Sequence, residues 1–266
     1  MKRFMVALAV LAVVPAPTTA QTDTRAAARE IVRKWQDAIV TVRVTLKLRM
    51  SMAGREMNSS DDSVDTVGTV IDPSGLTVLS LGALNPGATM NKIIGAASSG
   101  QDRPTLYSEP TDVKVRISDG RELPAKIVLR DEDLDLAFLL PTAKLEKPLT
   151  AIDLADAGRP GLLDEVIVLS RLGRVGGWAP SAVLRNISAI IERPRTFYVA
   201  ESDNNTSMGT PAFLPNGKVV GLLILRSVDP GRPSMMAMMG SEGLGLLPVI
   251  LPAADVLEVA QQATAK

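Results

Sequence analysis

The chemistry open to this chain is bounded first by two residue types it lacks. Across 266 residues there is no histidine and no cysteine. Without histidine there is no imidazole to move a proton near neutral pH and none to ligate a metal. Without cysteine there is no thiolate nucleophile, no disulfide and no thiolate metal site. What remains is carboxylates, hydroxyls, amines and thioethers. The acidic run Asp131-Glu132-Asp133 lacks the ligand alternation of a calcium loop and reads as a solvated turn. Methionine is the one abundant chemical type, with 11 residues. Four stand in Pro233-Ser-Met-Met-Ala-Met-Met239, and Met50, Met52 and Met57 cluster elsewhere. Thioethers are soft enough for Cu(I) and flexible enough for adaptable peptide binding. The simpler expectation is a loop packed over the fold, with no metal and no cofactor.

The elements that position these groups follow from periodicity. A charged start (Lys2, Arg3), an apolar stretch from Phe4 to Val14 and the small-residue run to Ala20 have the form of a cleaved signal peptide over 1–20. The expected location is therefore secreted or periplasmic, with no transmembrane anchor. Residues 21–37 predict a helix and linker, capped at Thr24, with Ala28, Ile31, Val32 and Trp35 at helical spacing. From Ala38 the period changes to two: Val40, Val42, Val44, Leu46 and Leu48 alternate with polar residues, as a half-buried strand does. Gly54 to Ser63 is read as a polar loop, and Asn85 to Thr111 as a long surface excursion. Asp72-Pro-Ser-Gly75, Asp119-Gly120 and Asn216-Gly217 mark tight turns between apolar runs.

Two groups of about six short strands result, over roughly 38–141 and 159–251, followed by a helix over 253–263. The expected fold is all-β: two six-stranded β-barrels with short N- and C-terminal helices. Acidic and basic residues number 29 each, so no basic excess points to nucleic acid.

Five segments, in order, carry a resemblance. Gly68-Thr-Val-Ile-Asp-Pro-Ser-Gly-Leu-Thr-Val-Leu79, Val115 to Ile127, Asp135-Leu-Ala-Phe-Leu139, Asn204 to Gly217 and Gly243-Leu-Gly-Leu-Leu-Pro248 together resemble the trypsin-like protease domain of the HtrA/DegP type. The resemblance runs from about Ala38 to Ala260 and implies the chymotrypsin fold over 38–266, with no PDZ domain after it. Residue by residue, the family's catalytic histidine falls on Gly82 and its serine on Met208; the orienting aspartate alone is kept, as Asp135. An aspartate in that role holds an imidazole in place and stabilises its cation, so here it has lost its task.

Ser207, one residue from the serine position, is the fallback nucleophile. A hydroxyl needs an adjacent base, which leaves a lysine among Lys47, Lys92, Lys114, Lys126, Lys144, Lys147 and Lys218. None of these lies in a motif that would place it beside Ser207. The expectation is a pseudoprotease with no catalytic residues. Ser207, Met208, Gly209 and Thr210 would line a cleft for a protein or extended peptide, and backbone amides near Met208 and Gly209 would form a donor pocket like an oxyanion hole. The competing reading is a serine endopeptidase using Ser207 with a non-histidine base. The sequence leaves oligomerisation open.

Overall fold

In the computed structural model, residues 19–53, 55–97, 104–201, 207–227 and 246–264 are described. The signal-peptide segment, apart from Thr19 and Ala20, and the methionine run at 233–239 lie outside them.

Alternating apolar residues build the first barrel. Its strands are β1 (Ile39–Met52), β2 (Arg55–Val70), β3 (Thr77–Ser80), β4 (Thr105–Arg116), β5 (Glu122–Asp131) and β6 (Leu136–Pro141). They close in the order β1-β2-β3-β6-β5-β4. Val40, Val42, Val44 and Leu46 of β1 meet Val70, Leu79, Val115 and Leu139 in one interior cluster. A helix, α1 (Thr19–Trp35), precedes β1, and two more follow β3, α2 (Leu81–Leu84) and α3 (Pro86–Ala97).

The second barrel repeats the plan with β7 (Glu165–Arg171), β8 (Pro180–Ile191), β9 (Phe197–Ala200), β10 (Pro211–Phe213), β11 (Val219–Ser227) and β12 (Leu246–Pro252). These strands close as β10-β11-β12-β9-β8-β7. Val166, Val168, Ala212, Val220 and Leu223 fill its interior. All the strand pairs of both barrels are antiparallel.

Several strands are apolar on both faces, and the second face makes the joint between barrels. Leu79 and Leu139 point inward, whereas Val78 and Phe138 join Ile167, Leu169, Phe213 and Leu222 in a shared core. The terminal helices close this core. α1 (Thr19–Trp35) contributes Ile31, and α4 (Ala253–Thr264) contributes Val256 and Val259. Trp35 also stacks on Phe213, ring centres 6.5 Å apart and 9° from parallel.

Three local expectations are corrected. The stretch expected as a polar loop at Gly54–Ser63 is strand from Arg55 onward, because β1 supplies a backbone partner in register for it, from Ile39 opposite Thr69 to Met52 opposite Arg55. A polar sequence forms strand when a neighbour offers the ladder. The expected excursion at Asn85–Thr111 instead contains α3 and the first half of β4, which pairs the other edge of β1 as far as Ser51 opposite Thr105. Thr24 is no helix cap: α1 begins earlier, and the Thr24 hydroxyl donates to Glu165 Oε2 at 2.8 Å.

Arg171, at the end of β7, ties the barrels at their connection. Its guanidinium donates to the backbone oxygens of Ile39 (2.6 Å), Gln36 (2.8 Å) and Trp178 (2.9 Å). Burial holds its pKa below the usual arginine value, the cost that these three bonds offset. Arg171→Met keeps the stem and removes the donors, leaving carbonyls unsatisfied. The expected loss is about 3 kcal/mol, measured by urea denaturation.

Candidate functional site

Gly82 lies in the first turn after β3, and Asp135 lies in the turn before β6. Strand pairing of Ser80 with Leu136 brings the two together. The Leu81 amide donates to the Asp135 backbone oxygen at 2.9 Å, fixing the backbone. The Asp135 carboxylate then accepts from the Ser80 hydroxyl (2.5 Å), the Gly82 amide (2.8 Å) and, across the barrel joint, the Leu225 amide (3.3 Å). Asp135 has φ +53°, a conformation that aspartate tolerates better than most residues.

Nothing but backbone stands at position 82. A Cβ there would meet Asp135 Oδ1 and Thr89 Oγ1 at 3.4 Å each, ordinary contact distances. Beside it opens a cavity of about 520 Å³ between α2, α3 and the β5–β6 turn, lined in part by Gly82, Thr89, Glu109, Arg130, Glu132 and Asp135. Within the acidic run, Asp131 Oδ1 accepts the Leu134 amide at 2.9 Å, so it serves as the turn's local cap.

Segment 207–210 leads into β10 and is clamped from both barrels. Gly209 donates its amide to Leu223 O at 2.7 Å, and its carbonyl accepts the Thr69 hydroxyl at 2.8 Å. The Thr210 hydroxyl donates back to Ser207 O at 2.8 Å, and the Leu223 amide donates to Thr210 O at 2.9 Å. Gly209 has φ +81°, and a Cβ on it would lie 2.9 Å from Val67 O and 3.1 Å from the Ser80 amide nitrogen. Glycine is required there on both counts. Thus Gly209 abuts Ser80, which itself bonds Asp135. Gly82, Asp135 and the 207–210 segment meet at one seam.

One expectation changes in detail. The Gly209 amide is committed to Leu223, so it is no donor for an oxyanion; a hydrogen held at 2.7 Å by a strand carbonyl does not face a ligand. Met208 is half-buried and packs against the interior cluster of the second barrel. Among the described residues no lysine amine bonds the Ser207 hydroxyl. Lys114 lies 3.3 Å from Asp112, and Lys218 lies 3.9 Å from Asp156. Sequence reasoning missed Ser80, Thr69 and Leu225 as residues that position the site, since each acts from a distant part of the chain.

Two antiparallel six-stranded barrels, with an aspartate buttressed at their joint and a glycine-bearing loop clamped across it, define the trypsin-like class of fold. A trypsin-like peptidase domain model matches residues 66–222, and the chain belongs to that family. No curated protein matches it. Among the described residues no helix is long and apolar enough to cross a membrane.

Proposed function

We propose that the chain is an HtrA-type trypsin-like domain without proteolytic activity, exported by residues 1–20 to a secreted or periplasmic location. It works as a binding or scaffolding module for a protein or an extended peptide held in the cleft between the barrels. One observation carries the reading. Asp135 keeps its three donors, yet position 82 in front of it is glycine and the loop opposite carries Met208.

A trypsin-like mechanism moves the nucleophile's proton to an imidazole held by the aspartate. With neither group at these positions, losing the triad costs on the order of 10⁴ to 10⁶ in rate. Holding an extended peptide needs no such group, because ladder hydrogen bonds to a strand edge supply the affinity.

The test is fluorophosphonate labelling of the purified chain together with casein turnover. Neither is expected. Labelling that disappears in Ser207→Ala would establish the competing reading, a serine endopeptidase with a non-histidine base.

A further inference from the structure

The β1–β2 hairpin projects well beyond the barrel, and its outer strand is left open. β2 runs for 16 residues. Its inner edge pairs β1 along nearly the whole length, whereas its outer edge meets β3 only at Thr69 and Val70. Among the described residues no strand covers that outer edge from Arg55 to Asp65, and Arg55 to Ser63 are all exposed. The strand is nevertheless supported from its inner side. β1 lies between β2 and β4, so the projecting arm is a three-stranded sheet rather than a lone ribbon.

An open edge presents alternate N–H and C=O groups to any strand that fits. Edges are commonly blocked by proline or lysine; this one has neither between 55 and 65. It has instead Glu56, Asp61, Asp62 and Asp65 against the single Arg55. Asp65 is held by Arg43 of β1 at 2.9 Å. Asp61 and Asp62 are neighbours in a strand, so their carboxylates stand on opposite faces of the sheet. A strand added beside them would meet a negative charge on either face.

The same charges choose the occupant. A second copy pairing edge to edge would set acidic strand against acidic strand, and like charges directly opposite are unfavourable. A strand bearing lysine or arginine gains on both counts, ladder bonds and charge. We propose that the outer edge of β2 is a docking strand for an extended basic segment of a partner protein, added to the sheet as a further strand. Met57 at the tip, 64% exposed, offers the end of that segment an apolar contact. This surface is separate from the cleft.

The probe is a fluorescein-labelled decapeptide of alternating Lys and Val, read by anisotropy against the purified chain. Saturable binding is expected, about tenfold or more weaker once salt shortens the Debye length to ~3 Å. Asp61→Lys with Asp62→Lys, both exposed, is expected to weaken that peptide about tenfold or more and to favour its Glu-Val counterpart, in a chain whose urea midpoint is checked first because Asp61 stands opposite Lys47. Two versions methylated on alternate amides, in opposite phase, separate strand addition from simple attraction: one phase is expected to lose binding and the other to keep it. The proposal is overturned by absence of saturable binding, by equal binding of both methylated forms, or by indifference to the charge reversal. A concentration-dependent dimer abolished by the same reversal would also overturn it, assigning the edge to a second copy.

Discussion

Gly82→His combined with Met208→Ser is expected to make the chain react with a fluorophosphonate, while either substitution alone leaves it inert. The expectation rests on what the seam retains. Position 82 has no left-handed backbone, and a Cβ there makes ordinary contacts of 3.4 Å to Asp135 Oδ1 and Thr89 Oγ1. The imidazole then has the adjoining cavity of about 520 Å³ to occupy. Asp135 is already fixed by Ser80, Gly82 and Leu225. Serine at 208 without histidine lacks a base, and histidine without serine lacks a nucleophile. Because such residues act as a unit, the double variant is expected to label at least about 10⁴ times faster than either single one. Mass spectrometry of the adduct at position 208 is the measurement. A double variant that labels no faster than the parent would show that Asp135 does not orient an imidazole there. Labelling of the parent itself would point to Ser207 instead.

The largest stability effect is expected at Gly221, in the middle of β11. A Cβ at this position would lie 1.8 Å from Leu251 O and 2.7 Å from its carbonyl carbon. Both atoms belong to the backbone of the neighbouring strand and cannot rotate away. Gly221 pairs with Ala212 on one side and Pro252 on the other, so β11 is locked between two strands. Gly221→Ala therefore forces β11 and β12 apart. Its neighbours Val220 and Leu222 are fully buried in different cores, the barrel interior and the joint between barrels. Separation opens both. The expected cost exceeds about 4 kcal/mol, above the ~1–3 kcal/mol typical of an overpacked core, because the clash is with backbone. That is a large part of the ~5–15 kcal/mol that holds a domain together. Urea denaturation is expected to show a weakened or absent cooperative transition. Gly173→Ala is the control: a Cβ there meets nothing within 4 Å, and a near-parental midpoint is expected. A Gly221→Ala chain as stable as the control would mean that β11 and β12 do not approach this closely.

The strands that hydrophobic alternation marks are those whose partners hardly matter. Val40, Val42, Val44 and Leu46 read as one buried face and are one. The turns at Asp119-Gly120 and Asn216-Gly217 join strands as their residues require. The first half of β2 was hidden for the opposite reason. Its Ser, Asn and Asp residues have no strand preference of their own, and only the presence of β1 alongside gives them one. Thr24 looked like a cap because capping is local, but its partner Glu165 lies 141 residues away. At the seam, Gly82, Asp135 and Met208 could be placed by resemblance. Ser80 and Leu225, which hold the Asp135 carboxylate, are 55 and 90 residues from it, and Leu225 carries no motif.

What the chain cannot do follows from its composition, since no folding brings in an imidazole or a thiolate that the sequence lacks. Two groups of short strands follow from the order of its residues, because period-two alternation and tight turns are local properties. Barrel closure alone decided the rest. It set Asp135 against Leu225, spent the Gly209 amide on Leu223 and, among the described residues, left the acidic edge of β2 uncovered. Those contacts join residues far apart in the chain, and only packing of the two faces of each strand determines which of them meet.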